Sequence, residues 1–194
     1  MNYKHLALLI YFLPGLAIAK EPVSKLSLIL EAARNQVGVT VAYDPAYRQL
    51  SYPNGDVPMD RGVCTDVIIR AYRAAGADLQ ALVHEDMKRA FSAYPRIWGL
   101  SRPDPNIDHR RVQNLAVYFS RHGQVLAISE EAADYKAGDI VAWKLPGGQP
   151  HIGLVSGRLE AGRPMIVHNI GFGAKEEDVL FAFPQTGHFR YMPE

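Results

Sequence analysis

The first two thirds of the chain repeat apolar residues three and four positions apart, which is the spacing of one helix face. Residues that commonly cap or end a helix bound each of these stretches. The spacing predicts helices over 24–37, Cys64–Ala75, Leu79–Ser92 and 109–122, the last capped by Asp108. Between the first two lies a segment, residues 43–60, that is rich in Pro, Gly and Asp, and we expect it to form an ordered loop.

After Gly123 the pattern changes to short apolar runs that turn residues separate. Such runs are typical of β-strands. The predicted strands are Val125–Ile128, Asp139–Trp143, Ile152–Val155, Met165–Val167 and Val179–Phe183. Pro146-Gly147-Gly148 and residues 160–163 fit hairpin turns between successive strands. Helices followed by hairpin-linked strands predict an α+β fold with a C-terminal antiparallel sheet.

The first 19 residues have the pattern of a secretory signal peptide. A basic start, Lys4-His5, precedes the apolar run Leu6–Leu13, and the small residues Ala17-Ile18-Ala19 follow a Pro-Gly break. Eight apolar residues are far fewer than the ~20 that span a bilayer. We predict cleavage after Ala19, a periplasmic or secreted product with no stable membrane insertion, and a single domain over residues 20–194.

The charges of the chain are balanced and scattered. There are 21 Lys and Arg residues against 20 Asp and Glu, a formal net charge of +1, and the basic residues are interspersed with acids. A one-sided basic surface is the usual footprint of nucleic-acid binding. Nucleic acid is therefore not a predicted partner.

Cys64 is the only cysteine, and it stands at the start of the second predicted helix. Exported proteins normally pair their cysteines, so an unpaired one is reactive, intermolecular, or buried and inert. The partial positive charge of a helix N-terminus favours a thiolate. Arg61 would add to this field, whereas Asp66 would oppose it. These features make Cys64 the candidate nucleophile.

Two histidines on predicted strands are candidate partners for this thiol. His151 precedes the run Ile152–Val155, which places its ring at the edge of the sheet, and Gly153 leaves space beside it. His168 ends the neighbouring strand, where a cross-strand distance of ~5 Å would let it orient the other imidazole. Asn169 could hold that role instead. The trio indicates a cysteine hydrolase in which an imidazole takes the thiol proton.

The order of these elements resembles NlpC-type cell-wall peptidases, which are papain-like. The similar segments are Cys64 at a helix start, Gly138-Asp139-Ile140-Val141, His151-Ile152-Gly153-Leu154-Val155 and Val167-His168. More closely, nearly the whole mature chain is similar to the YijF-like family of unknown function. That resemblance rests on Tyr52–Pro58, Arg61–Asp66, Pro105–Arg111 and His168–Gly171.

The resemblance implies a papain-like fold with the nucleophile at a helix start packed on the antiparallel sheet. It implies Cys64 as nucleophile, His151 as general base, His168 as the residue that orients it, and no cofactor or metal. A tyrosine ahead of the cysteine contributes to the oxyanion hole in NlpC-type enzymes. We assign that position to Tyr52, with the Cys64 backbone N–H as the second donor.

Other polar residues are candidates for binding the substrate. Asp108, His109, Arg110 and Arg111 stand in a segment that is longer than in NlpC-type enzymes, where they either bind substrate charge or form a helix cap and its solvated basic start. Arg61 or Arg110 could pair with a carboxylate of a stem peptide. Asn169 stands where alanine often follows the last histidine, so we add it to these candidates.

The predicted function is an exported cysteine amidase or endopeptidase that cleaves peptidoglycan stem peptides, or muropeptides, through a thioester. One alternative is a non-catalytic wall-binding module on the same fold. The other is a zinc hydrolase, because one thiolate and two imidazoles are acceptable zinc ligands. The chain lacks the His-Glu-x-x-His and paired-cysteine motifs of common zinc sites.

Overall fold

Four α-helices precede Gly123 in a computed structural model that describes residues 23–193. They are α1 (Lys25–Arg34), α2 (Cys64–Ala74), α3 (Leu79–Ala90) and α4 (Val112–His122). Side-chain caps begin two of them, since Ser24 accepts from the Ser27 N–H and Asp78 from the Gln80 N–H, each at 3.1 Å. The predicted helices are therefore present.

The start of α4 differs from the prediction. Asp108–Arg110 forms a turn of 3-10 helix, and α4 begins only at Val112, with Arg111 in the N-cap position. Asp108 therefore does not cap α4. Its carboxylate instead accepts from the Asp104 N–H at 2.6 Å, which closes the preceding loop.

A short parallel ladder closes the Pro- and Gly-rich loop ahead of α2. Strand β1 (Ala42–Tyr43) pairs with β2 (Arg61–Gly62). The two ends of the loop are thus joined immediately before Cys64.

The second half of the chain forms an antiparallel sheet. Its strands are β3 (Gln124–Val125), β4 (Ile140–Lys144), β5 (Pro150–Glu160), β6 (Arg163–Asn169), β7 (Ala174–Glu177) and β8 (Gln185–Arg190). Their spatial order is β3-β8-β4-β5-β6-β7, and every neighbouring pair is antiparallel. This arrangement confirms the predicted α+β class.

One predicted strand is wrong, and two real strands, β7 and β8, have no apolar run. Val179–Phe183 is a turn, closed by the Ala182 N–H donating to the Val179 carbonyl at 3.1 Å, and its apolar residues cover Trp143 rather than pairing with a strand. The actual last strand, β8, reads Gln-Thr-Gly-His-Phe-Arg. This mostly polar sequence lacks the apolar alternation that indicates a strand. The buried position that an apolar residue would normally occupy is taken by His188, which is hydrogen-bonded to Asp139.

Helix α2 is the central element of the helical layer. Every residue from Cys64 to Tyr72 is buried. Its apolar side chains join those of α1, α4 and the inner face of the sheet in one core, including Ile29, Val67, Ile68, Tyr72, Phe119, Ile152, Leu154 and Val167. Burying one such large apolar side chain stabilises the fold by ~1.5–3 kcal/mol. Because α2 packs against β5 and β6, its first residue meets the strands that carry both candidate histidines.

Cys64 at the start of a helix that packs on an antiparallel sheet is the papain-like arrangement that the family resemblance implies. Within residues 23–193 no helix is both long enough and apolar enough to cross a bilayer. The predicted signal peptide, residues 1–19, lies outside the described residues.

Candidate active site

Cys64 is held at the first turn of α2 by an acidic residue of the same turn. Val63 has an extended backbone, and its N–H donates to Asp66 Oδ2 at 2.7 Å. A carboxylate three residues into a helix can bond back to the N-cap N–H in this way. Asp66 therefore fixes the direction in which the chain enters the helix that presents the thiol.

Arg110 secures Asp66 in turn. Its Nε and Nη2 donate to the two carboxylate oxygens at 3.0 and 2.9 Å, and both side chains are 3% exposed or less. Nη1 and Nη2 also donate to the carbonyls of Ala46 and Asp44, at 3.1 and 3.0 Å. The prediction that Arg110 binds substrate charge is therefore wrong, because its guanidinium is occupied within the protein.

The two candidate histidines are in direct contact. His151 Nε2 lies 3.0 Å from His168 Nδ1, and the two rings meet edge to face at 77°. Gly153 makes this possible, because a Cβ at that position would lie 2.6 Å from Ile166 Cγ2 and 3.2 Å from His168 Cβ. The predicted contact across β5 and β6 is present.

Asn169 has a different role from either one predicted for it. Its Nδ2 donates to the Gly62 carbonyl at 3.0 Å, and its Oδ1 accepts from the Gly171 N–H at 3.2 Å. These bonds tie the end of β6 to the segment just before Cys64. Asn169 is therefore a link between the two layers, and His168 is the side chain that contacts His151.

Glu177 on β7 extends the histidine pair. Its Oε2 lies 3.1 Å from His168 Nε2. A carboxylate only accepts, so the Nε2 of His168 carries the hydrogen and its Nδ1 is the acceptor. His151 must then donate from Nε2, which leaves a lone pair on its Nδ1. Sequence reasoning missed Glu177, because nothing in Lys175-Glu176-Glu177-Asp178 marks which carboxylate faces the sheet.

Burial opposes charge on both members of the candidate nucleophile–base pair. It raises the pKa of Cys64 to about 12, with Asp66 also raising it, against the lowering effect of the Ile152 backbone N–H. Burial and the neighbouring His168 lower the pKa of His151 to about 3. The resting pair is thus a thiol and a neutral imidazole. The helix N-terminus is expected to favour a thiolate, but burial of the sulfur outweighs that effect.

The tyrosine beside the thiol is Tyr43 on β1. It lines the same cavity as Cys64, and its pKa is raised to about 12, first by burial and then by the charge that a Cys64 thiolate would carry. Its phenol therefore stays protonated and can donate. Tyr52 lies elsewhere, with its OH donating to Glu85 at 3.1 Å and its ring packed on His84. The assignment of the oxyanion tyrosine to Tyr52 is therefore corrected.

Three remaining predicted substrate-binding residues do not line the cavity beside Cys64. Arg61 pairs with Asp60 at 2.9 Å and does not line the cavity beside Cys64, so it adds no field there. Asp108 is buried and accepts from Arg111 Nη1 at 3.0 Å. His109 is buried, and its Nδ1 makes no hydrogen bond within residues 23–193. None of these three side chains is therefore placed to bind a ligand in that cavity.

A cavity of about 340 Å³ opens beside Cys64. Its walls are polar and aromatic, formed in part by Tyr43, Trp98, Arg111, Gln113 and Gln149. Over residues 23–193 no group of three or more His, Cys, Asp or Glu side chains is arranged to hold a metal ion.

We expect stability to fall as the pH drops below about 6.5. Burial lowers the pKa of both His109 and His151 from 6.5 to about 3. Between these values the unfolded chain binds protons that the folded chain excludes, so the free energy of unfolding decreases by about 1.4 kcal/mol per pH unit for each histidine. Urea unfolding from pH 7.5 to 4.5 measures this slope. His109→Gln should reduce this slope by about 1.4 kcal/mol per pH unit, which corresponds to one proton. An unchanged slope would show that burial does not keep His109 neutral.

Comparison with known proteins places the chain in a family. Residues 30–191 match the model of DUF1287, a domain of unknown function. The chain is 57% identical over 164 residues to YijF of Escherichia coli (strain K12), described as uncharacterized, and the match covers 84% of this chain and 80% of that protein.

Among solved structures, a lipoprotein-like protein of the NLP/P60 family from Staphylococcus aureus aligns with 93% of this chain at 13% identity. The chain covers 46% of that protein, and the TM-score is 0.41, too low to transfer any property. The family model, by contrast, spans both helices and sheet, including Cys64, His151, His168 and Glu177. The chain therefore belongs to the DUF1287 family.

Proposed function

We propose that this protein is a cysteine hydrolase that cleaves amide or peptide bonds in peptidoglycan stem peptides. The observation that carries the proposal is the hydrogen-bonded series Glu177, His168 and His151, whose two histidines lie on the strands against which the helix that begins at Cys64 packs. The backbone of Ile152, next to His151, is bonded to the thiol. The wall substrate rests on the likeness of the sequence motifs to those of NlpC-type peptidases. It also depends on the export predicted from residues 1–19.

In the proposed reaction the free Nδ1 of His151 takes the proton of Cys64 as the sulfur attacks the scissile carbonyl. Because both groups are neutral at rest, proton transfer accompanies the attack rather than preceding it. Tyr43 OH and the Cys64 backbone N–H donate to the resulting oxyanion. Collapse breaks the C–N bond, and His151 returns the proton to the leaving amine. Water then hydrolyses the thioester, with His151 again as base.

The Glu177 carboxylate supports this role without touching the reacting atoms. By fixing the hydrogen of His168 on Nε2, it leaves Nδ1 of His151 unprotonated, and Nδ1 is the nitrogen that acts as base in the proposal. Glu177 is thus a positioning residue in the proposal.

Digestion of muropeptides tests the function. We expect the purified chain to cleave them, Cys64→Ala to be inactive, and a chelator to have no effect, with mass spectrometry identifying the bond that is cut. Cleavage by the alanine variant, or cleavage that a chelator stops, would refute the cysteine mechanism and favour the zinc hydrolase.

A non-catalytic wall-binding module is the second candidate, and the buried thiol with a pKa of about 12 favours it. Such a module would bind muropeptides with the same affinity in the native chain and in Cys64→Ala. It would release no product, which separates it from the hydrolase.

A further inference from the structure

Two arginines, Arg110 and Arg111, line the cavity beside Cys64. They differ in how many of their guanidinium N–H groups are bonded within the protein. Arg110 directs its guanidinium into the buried ion pair with Asp66 and to two backbone carbonyls. Arg111 makes one hydrogen bond within residues 23–193, from Nη1 to Asp108 Oδ1 at 3.0 Å. Its side chain is 16% exposed. The Nη2–Nε edge of Arg111 therefore remains available to a ligand in the cavity.

The Arg111 guanidinium is held in place by two neighbours. Its central carbon lies 4.0 Å from the centroid of the Trp98 ring. The other neighbour, Asp108, is 1% exposed and is itself fixed by the Asp104 N–H. An arginine stacked on an aromatic face and paired along one edge is already ordered, so a ligand that binds its other edge immobilises little further.

The free edge of a fixed guanidinium matches a carboxylate, which accepts two parallel hydrogen bonds from it. Stem peptides carry carboxylates in two forms, free or converted to carboxamides. A carboxamide presents only one acceptor oxygen and no charge, so this edge distinguishes the two forms.

We propose that Arg111 and Trp98 form a subsite that binds a free carboxylate of the substrate next to the scissile bond. This rests on the proposed function, because the subsite shares its cavity with Cys64. The protein would then select stem peptides whose neighbouring carboxyl group is free over those in which it is amidated.

The test compares two muropeptides that differ only in that carboxyl group. We expect kcat/KM to be at least about tenfold higher for the free acid, mostly through KM, since a charge-assisted hydrogen bond contributes ~1.5–3 kcal/mol. Arg111→Gln should bring the ratio close to one. Arg111→Lys keeps the positive charge but loses the planar guanidinium with its two parallel donors, so it should retain only part of the preference for the free acid. Trp98→Leu should reduce this preference less than Arg111→Gln does.

The matched control is Arg61→Gln, because this arginine is near Cys64 in sequence but does not line the cavity. It should leave the ratio unchanged. Equal kcat/KM for the two muropeptides, or a preference that survives in Arg111→Gln, overturns the subsite.

A binding measurement on a variant that cannot catalyse the reaction tests the subsite independently of the proposed hydrolase activity. Calorimetric titration of Cys64→Ala with each muropeptide should show the same preference for the free acid without turnover. A native chain that cleaves neither muropeptide, while Cys64→Ala still prefers the acid, would refute the hydrolase and keep the subsite. Equal affinity for the two muropeptides, or binding of neither, would refute the subsite.

Discussion

His151→Ala is expected to lower kcat on muropeptides by about 10³- to 10⁴-fold while KM changes little. Without the imidazole, the thiol must ionise by itself. With a pKa of about 12, the thiolate is on the order of one molecule in 10⁵ at pH 7. Steady-state rates from product quantification give the two constants.

The pH dependence of His151→Ala provides a second readout. Its residual rate should rise about tenfold per pH unit from pH 7 to 9, since hydroxide then generates the thiolate. His122→Ala, a histidine on α4 that bonds to Asp86 instead, should retain the native rate. A kcat for His151→Ala above about a tenth of the native value is incompatible with His151 as the general base.

Arg110→Met is expected to lower the free energy of unfolding by about 3–5 kcal/mol, because it leaves the buried carboxylate of Asp66 without its partner. The carbonyls of Asp44 and Ala46 lose their donors as well. Urea unfolding at pH 7.5, followed by circular dichroism, measures the change.

Arg61→Met is the matched control, since it removes an exposed ion pair with Asp60 and should change stability by less than about 1 kcal/mol. The double variant Asp66→Leu/Arg110→Met should recover part of the loss, because no buried charge remains unpaired. Recovery stays incomplete, since the Val63 N–H loses its acceptor. A loss below about 1 kcal/mol in Arg110→Met would show that the pair does not stabilise the fold.

Local sequence patterns predicted the elements that carry the candidate site. The helical spacing after Cys64 and the apolar runs beside His151 and His168 are strong signals, and the β5 and β6 segments lie close in sequence. Their contact follows from hairpin pairing alone. Local pattern is therefore sufficient to identify the thiol and the two histidines as candidates.

The residues that sequence reasoning missed depend on longer-range contacts. Tyr43 reaches the cavity because a two-residue strand pairs with β2 across the whole Pro-rich loop. The ion pair of Asp66 with Arg110 joins two helical segments, and charged residues at helix starts more commonly face solvent. Glu177 lies on a strand without apolar alternation, so the pattern does not reveal which of its side chains face His168.

Cys64 and His151 belong to different layers, Cys64 to the helices and His151 to the sheet. A partly folded chain in which α2 has formed but has not packed on β5 would give a helical circular dichroism spectrum. It would nevertheless lack the proposed hydrolase activity. During synthesis the cysteine is made long before the histidine, so a nascent chain carries an unassisted thiol until its C-terminal half has folded. Completion of the tertiary structure is thus the step that assembles the site of the proposed hydrolase.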